Sequence, residues 1–257
     1  MFFNWLRRRR RRKIGQQPLP DEWLQIVRSN VAHFHCLTAD EQVKLCHDLR
    51  ILVAEKNWEG CGGLVMNDEI KVTVAAMASL LVLGCDGEYF ETVRSILVYP
   101  DAYVVPQKTV IHGGVVMESE EPRSGEAWYR GPIVLTWSEV LAGGAGDAFG
   151  SNLVLHEFSH QLDMQNGHEA DGIPPLHSRD QYPQWERVMA AEHESLIQDC
   201  EAGRQTLLDC YGTMNRAEFF AVATECFFEE PQDMSYRHPE LYDILREYYR
   251  QDPAGWD

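Results

Sequence analysis

The chain has 257 residues, 44% hydrophobic and 25% charged, with a formal net charge of −17, a globular composition rather than a disordered or fibrous one. No apolar run reaches the roughly eighteen residues of a membrane-spanning helix, so a transmembrane segment is excluded. Seven cysteines lie scattered without a C-x-x-C pair, so neither a cysteine zinc site nor a disulfide framework is expected, and reduced thiols in a cytoplasmic protein are the simplest expectation.

The chain opens on Met1-Phe2-Phe3-Asn4-Trp5-Leu6, followed by Arg7 to Arg12 and Lys13. That run places seven positive charges in a row, so the remainder carries −24, 16 basic against 40 acidic side chains. An acidic body argues against direct contact with nucleic acid. A secretion signal puts basic residues before a long apolar core, whereas here they follow a very short one. Aromatic and basic residues together suit an anionic membrane or an acidic partner. With no second anchoring signal, residues 1–20 are expected to be a solvated, disordered head and linker ending in Gln16-Gln17-Pro18-Leu19-Pro20.

The folded part is expected over 21–257, helical over 21–90 and catalytic over 91–257. Trp23, Val27, Val31 and Phe34 recur at helical spacing, giving a helix from Asp21 to about Leu37. Thr38-Ala39-Asp40-Glu41 is a capping box opening a second helix through Val43, Leu45, Leu49 and Leu52. The apolar segment from Asp68 to Leu83 predicts a buried helix stopping at Gly84. Ser95–Tyr99, Thr109 to Met117 and Pro132 to Trp137 are β-branched or aromatic runs bounded by Gly and Pro, and read as strands of a small mixed sheet. Gly143 to Gly150 reads as a glycine-rich turn, without the G-K-[ST] ending of a phosphate loop. Beyond it, helices are expected over roughly 182–202, 215–229 and 239–249.

Between turn and helices stands His156-Glu157-Phe158-Ser159-His160. Leu153, Val154, Phe158 and Leu162 form an apolar stripe that makes the segment a helix, ended by Asn166-Gly167. Residues four apart share a helix face, so both imidazoles can reach one metal ion with the Glu157 carboxylate beside the open position. The pattern points to a zinc hydrolase, most simply a peptidase. Helices, a few strands, the motif helix and more helices suit an α+β metallopeptidase of zincin type. In that architecture an edge strand beside the motif helix pairs with an extended substrate; Ile133 to Trp137 and Val110 to Met117 are the candidates.

A catalytic zinc needs a third protein ligand. The continuation H-x-x-G-x-x-H is excluded, because Asp163 and Asn166 occupy the glycine and last histidine positions. Asp163 can orient a ligand from behind or simply end the helix. Downstream, Glu218 and Glu225 stand seven residues apart on one face of an otherwise apolar helix. Acidic groups there need a partner, and zinc is a strong one. Glu218 alternatively closes a capping box with Asn215, and Glu225 is alternatively salt-bridged. His168, His177 and His193 are weaker candidates.

The Arg-rich head after M-F-F-N-W-L, the H-E-F-S-H-Q-L-D-M block, Asn166-Gly167 with Asp171-Gly172, and Ala217-Glu218-Phe219-Phe220-Ala221-Val222 together resemble the Mlc titration factor A family of bacterial zinc metallopeptidases. The resemblance runs over essentially the whole chain, and the family is similar in its catalytic core to the anthrax lethal factor protease domain. It implies one Zn2+ per chain held by His156, His160 and Glu218, with Glu157 as general base and Tyr211 as a catalytic tyrosine. It further implies aminopeptidase activity on short peptides, a cytoplasmic location and binding to the repressor Mlc. A protein that only sequesters the repressor, with a structural or weakly active zinc site, is the alternative.

Overall fold

The computed structural model describes residues 2–85, 89–101, 103–111, 115–123, 125–127, 131–146, 150–167 and 170–256, with side chains described in 5–85, 89–101, 131–146, 150–167 and 170–256. Helix α1 spans Phe2–Gly15, α2 Asp21–Asn30 and α3 Ala39–Glu55, followed by strand β1 at Asn57–Gly60 and helix α4 at Asp68–Leu81. Strands β2 (Ser95–Tyr99), β3 (Tyr103–Ile111), β4 (Val115–Arg123), β5 (Gly125–Ala127) and β6 (Ile133–Thr136) follow. Helix α5 covers Trp137–Ala145, α6 Leu153–Asp163, α7 Tyr182–Glu201, α8 Arg216–Glu229, α9 Pro231–Arg237 and α10 Pro239–Tyr249.

The core is organised around α4. Asn67 caps it by accepting from the Ile70 amide at 2.9 Å, and every residue from Val72 to Leu81 is buried. Small side chains at Ala75, Ala76 and Ala78 let neighbouring helices approach, while Val72, Val74, Leu80 and Leu81 each bury apolar surface worth about 1.5–3 kcal/mol. The capping box at Thr38 forms as expected, its hydroxyl meeting the Glu41 amide and the Glu41 carboxylate returning to the Thr38 amide. Helix α5 passes so close to the end of α2 that a Cβ on Gly144 would lie 2.2 Å from the Asn30 carbonyl oxygen.

The mixed sheet has the order β1-β2-β6-β5, with β1, β2 and β6 parallel and β5 antiparallel to β6. Motif helix α6 packs against β5 and β6 and crosses α8. Ile133–Thr136 is therefore an interior strand and not an edge, because it bonds β2 on one side and β5 on the other. Among the described residues the edge beside α6 is β5. Thr109 to Met117 is not one strand either: β3 and β4 form a separate antiparallel ribbon, with Ile111 opposite Val115, and residues 112–114 lie outside the described set.

Four further expectations are corrected. The head is helical and docked: Arg11 is 7% exposed and forms a forked pair with Glu55 at 2.7 and 3.0 Å. Charge alone suggested solvation, but Arg7 and Arg11 of this run meet acidic partners on the body. Gly143 and Gly144 lie inside α5, which ends at Gly146 in the left-handed conformation, φ 74°. Cys200 and Cys210 form a disulfide, where reduced thiols were expected: the intervening turn brings residues ten apart to a Cα separation of 5.9 Å. The Asp21 helix also stops earlier than expected, at Asn30, giving way to a 3-10 turn at Ala32–His35.

Candidate metal centre

Asn152 opens the motif helix, its side chain accepting from the Leu155 amide at 3.1 Å. From that start α6 runs buried along nearly its whole length, with Glu157, Ser159, His160 and Gln161 turned inward beside Val154, Leu155 and Phe158. Phe158 packs edge-on against Phe90 at 4.7 Å between ring centres, which sets the rotation of the helix and hence the direction of its histidines.

Helix α8 begins at the Asn215 cap, whose side chain accepts from the Glu218 amide at 3.0 Å. Half of the alternative reading of Glu218 is thus realised, yet its carboxylate turns elsewhere. Glu218 Oε2 lies 3.0 Å from His156 Nε2 and 3.4 Å from His160 Nε2, and the two imidazole nitrogens are 3.3 Å apart. Among the described residues His156, His160 and Glu218 form a group able to hold a metal ion.

Three lone-pair atoms facing one another need a proton or a cation between them. Donors about 2.0–2.2 Å from an ion in tetrahedral array stand roughly 3.3 Å from each other. The observed separations of 3.0, 3.3 and 3.4 Å match that spacing, and nitrogen with carboxylate oxygen is a zinc donor set. The residues present therefore fit a zinc ion.

Glu225, the other candidate ligand, takes a different place. Its Oε1 receives His156 Nδ1 at 2.7 Å, and its Oε2 receives the Asn152 amide at 2.6 Å and the Ser151 hydroxyl at 3.0 Å. A proton on Nδ1 leaves the Nε2 lone pair of His156 directed at Glu218 and His160. The Asn152 amide group in turn donates to Glu229 Oε1 at 2.8 Å, and Glu229 Oε1 lies 3.5 Å from His33 Nε2. Sequence reading missed Asn152, Glu229 and His33. A sequence-level signal existed only for Asn152, an N-cap residue just before the apolar stripe.

Electrostatics follow this geometry. Burial acts to lower the pKa of His156, but hydrogen bonds to Glu218 and Glu225 outweigh it and raise the pKa to about 10. Burial would raise the pKa of Glu218, and the two histidines instead hold it down to about 2. Both shifts express one demand, for positive charge among these donors. Burial pushes Glu229 up to about 7, against the Asn152 hydrogen bond and with the negative charges of Glu225 and Glu230.

The remaining candidates are dispersed. Asp163 is fully buried and accepts from the Gly172 amide at 2.7 Å and the Ile173 amide at 3.0 Å, and so fastens the loop after the motif helix. Gly172 holds φ 78°, and a Cβ there would lie 2.6 Å from the Arg216 carbonyl oxygen, so this loop also abuts the start of α8. Tyr211 is half-exposed on the 3-10 turn Cys210–Thr213, its ring centre 5.9 Å from that of His156. His177 bonds the Tyr248 carbonyl and His193 packs on Phe219; His168 lies outside the described residues.

An H-E-x-x-H helix crossed by a second helix that contributes a glutamate is the donor arrangement of a metallopeptidase. The chain belongs to the glucose-regulated metallo-peptidase family M90, which it matches over residues 4–250. It is 36% identical over 245 residues to an uncharacterized protein of Synechocystis sp., covering 95% of this chain and 89% of that one. Mlc titration factor A of Serratia proteamaculans is 34% identical over 217 residues, 84% of this chain and 82% of that protein. Mlc titration factor A of Yersinia pestis is 30% identical over 221 residues, 85% and 81% of the two chains. The family resemblance drawn from the motifs is thereby shown.

Proposed function

We propose that this chain is a zinc-dependent aminopeptidase of zincin type acting on short peptides, with His156, His160 and Glu218 holding one Zn2+ and Glu157 as general base. The mutual spacing of the three donors is the observation that carries this reading. A zinc ion bound there supplies positive charge that acidifies a water and polarises a carbonyl.

The chain's own groups do the rest. Glu157, buried on the motif helix beside His156, takes the proton of the attacking water and passes it to the leaving amine. Tyr211 stands beside His156 and donates its hydroxyl to the oxyanion that develops on the scissile carbonyl. Glu225 keeps His156 in one orientation and one tautomer. Strand β5, the sheet edge next to α6, pairs with the extended backbone of the peptide.

Peptides of one sequence with free and with acetylated amino termini test the specificity. Cleavage confined to free-ended peptides is the expected outcome. Equal cleavage of both makes the chain an endopeptidase.

Binding to the repressor Mlc is a second reading, supported by the relatives named Mlc titration factor A. A repressor partner also supports a cytoplasmic location. If sequestering the repressor is the function, Glu157→Ala still captures Mlc while peptide hydrolysis is lost; loss of capture in that variant ties binding to chemistry.

A further inference from the structure

Helix α1 uses only part of its basic run to hold itself in place. Arg11 pairs with Glu55 and Glu91 and lies over the Tyr89 ring at 4.5 Å. Arg7 pairs with Glu91, and the Gly15 carbonyl at the end of the helix accepts from Arg50. These contacts fix the rotation of α1. At about 100° per residue, Arg9 and Lys13 then lie opposite Arg11, with Leu6, Trp5 and Arg12 beside them, and Arg8, about 60° from Arg11, stands exposed at the border of that face.

That outward face has a specific chemistry. Arg8, Arg9, Arg12 and Lys13 are exposed and have no acidic partner among the described residues. Trp5 is 55% and Leu6 44% exposed, in a chain where most large apolar side chains are packed away. Glu55 and Glu91, the acidic groups that meet the helix among the described residues, are already paired with Arg7 and Arg11. The rest of the chain carries −24, 16 basic against 40 acidic side chains. At physiological salt its field fades over about 8 Å, so a flat surface touching α1 chiefly meets the cations.

We infer that the outer face of α1 is a docking surface for an anionic lipid bilayer, with Trp5 and Leu6 entering the headgroup boundary and Arg8, Arg9, Arg12 and Lys13 lying over lipid phosphates. An interfacial helix combines those two elements, an aromatic or aliphatic edge and a basic face. Nucleic acid offers phosphates but no boundary into which Trp5 and Leu6 can sink. The helix lies on the surface and does not span it, consistent with the absence of any described helix long and apolar enough to cross a membrane.

Co-sedimentation of the full chain with vesicles tests this. Vesicles of equal parts phosphatidylglycerol and phosphatidylcholine are compared with phosphatidylcholine alone, for wild type, Trp5→Ala, and a variant with Arg8, Arg9, Arg12 and Lys13 all changed to Gln. The quadruple variant keeps Arg7 and Arg11, so its thermal midpoint should match wild type. Wild type should pellet with anionic vesicles only, less so as salt rises. The quadruple change should weaken partitioning by a factor on the order of 10²–10³, and Trp5→Ala should weaken it without altering the salt slope. Equal pelleting of wild type and quadruple variant overturns the proposal, as does failure of wild type to bind anionic vesicles. A duplex oligonucleotide retained through the same four cations, with no vesicle binding, also overturns it and makes nucleic acid the partner.

Discussion

Glu225 Oε1 lies 2.7 Å from His156 Nδ1, while the other oxygen of the same carboxylate holds the Asn152 amide at 2.6 Å. One side chain on α8 thus sets the tautomer of a histidine on α6 and anchors the backbone from which α6 starts. Glu218, two turns earlier on α8, approaches the Nε2 face of the same imidazole. The candidate metal donor Glu218 and the group that orients His156 therefore come from one helix, and the donor cluster assembles only if α6 and α8 cross in register.

Glu225→Gln keeps the shape but weakens the charge-assisted bond to Nδ1. Zinc affinity should fall by about 10–100-fold, the usual effect of losing a carboxylate behind a metal-bound histidine. Competition with a chromophoric chelator measures it. Undiminished affinity would remove Glu225 from this role, and a complete loss would make it a ligand in its own right.

Tyr211→Phe removes only a hydroxyl at the rim of the site. Turnover should drop by about 10²–10³, as when an oxyanion donor is deleted, with zinc content unchanged. An unaltered kcat would exclude the tyrosine from the chemistry.

Folding stability should depend on pH through Glu229. Its pKa rises from an ordinary 4.5 to about 7 because of burial, together with the Glu225 and Glu230 charges. Between those values the folded chain binds more protons than the unfolded one, so stability falls as pH rises from about 4.5 to about 7 and levels off above. Glu229→Gln still accepts from Asn152 and cannot titrate. Its urea midpoint should lack that decline and exceed the wild-type midpoint above pH 7; parallel pH curves would contradict the assignment.

The disulfide joins the end of α7 to the residue just before Tyr211. Closing a loop of this size contributes about 2–3 kcal/mol. Replacing Cys200 and Cys210 together by serine should lower stability by about that amount and abolish the effect of added reductant on the wild-type melting curve. A melting curve that never responds to reductant would show that the link is dispensable.

Much of the site was legible because its signals are local. H-E-x-x-H places both imidazoles on one face by helical period alone, and the caps at Thr38 and Asn215 depend on neighbouring residues. The division of labour between Glu218 and Glu225 was not legible from spacing: seven residues apart, both face α6, and only the crossing point decides which meets Nε2 and which Nδ1. The family resemblance separated them. Strand β5 was missed because Gly125-Glu126-Ala127 has no β-branched residue; its partner β6 supplies the strand character. The docking of α1 was hidden for a similar reason. Six consecutive arginines look alike in sequence, and Arg11 differs only because Glu55 and Glu91, 44 and 80 positions away, converge on it.

The most direct test of the central claim combines zinc content and peptide hydrolysis for wild type and Glu157→Gln. The expected result is one zinc per chain in both proteins and hydrolysis of a free-ended peptide by wild type alone. Hydrolysis by Glu157→Gln at the wild-type rate, or a wild type that holds no zinc, would contradict a zinc peptidase that uses Glu157 as its base.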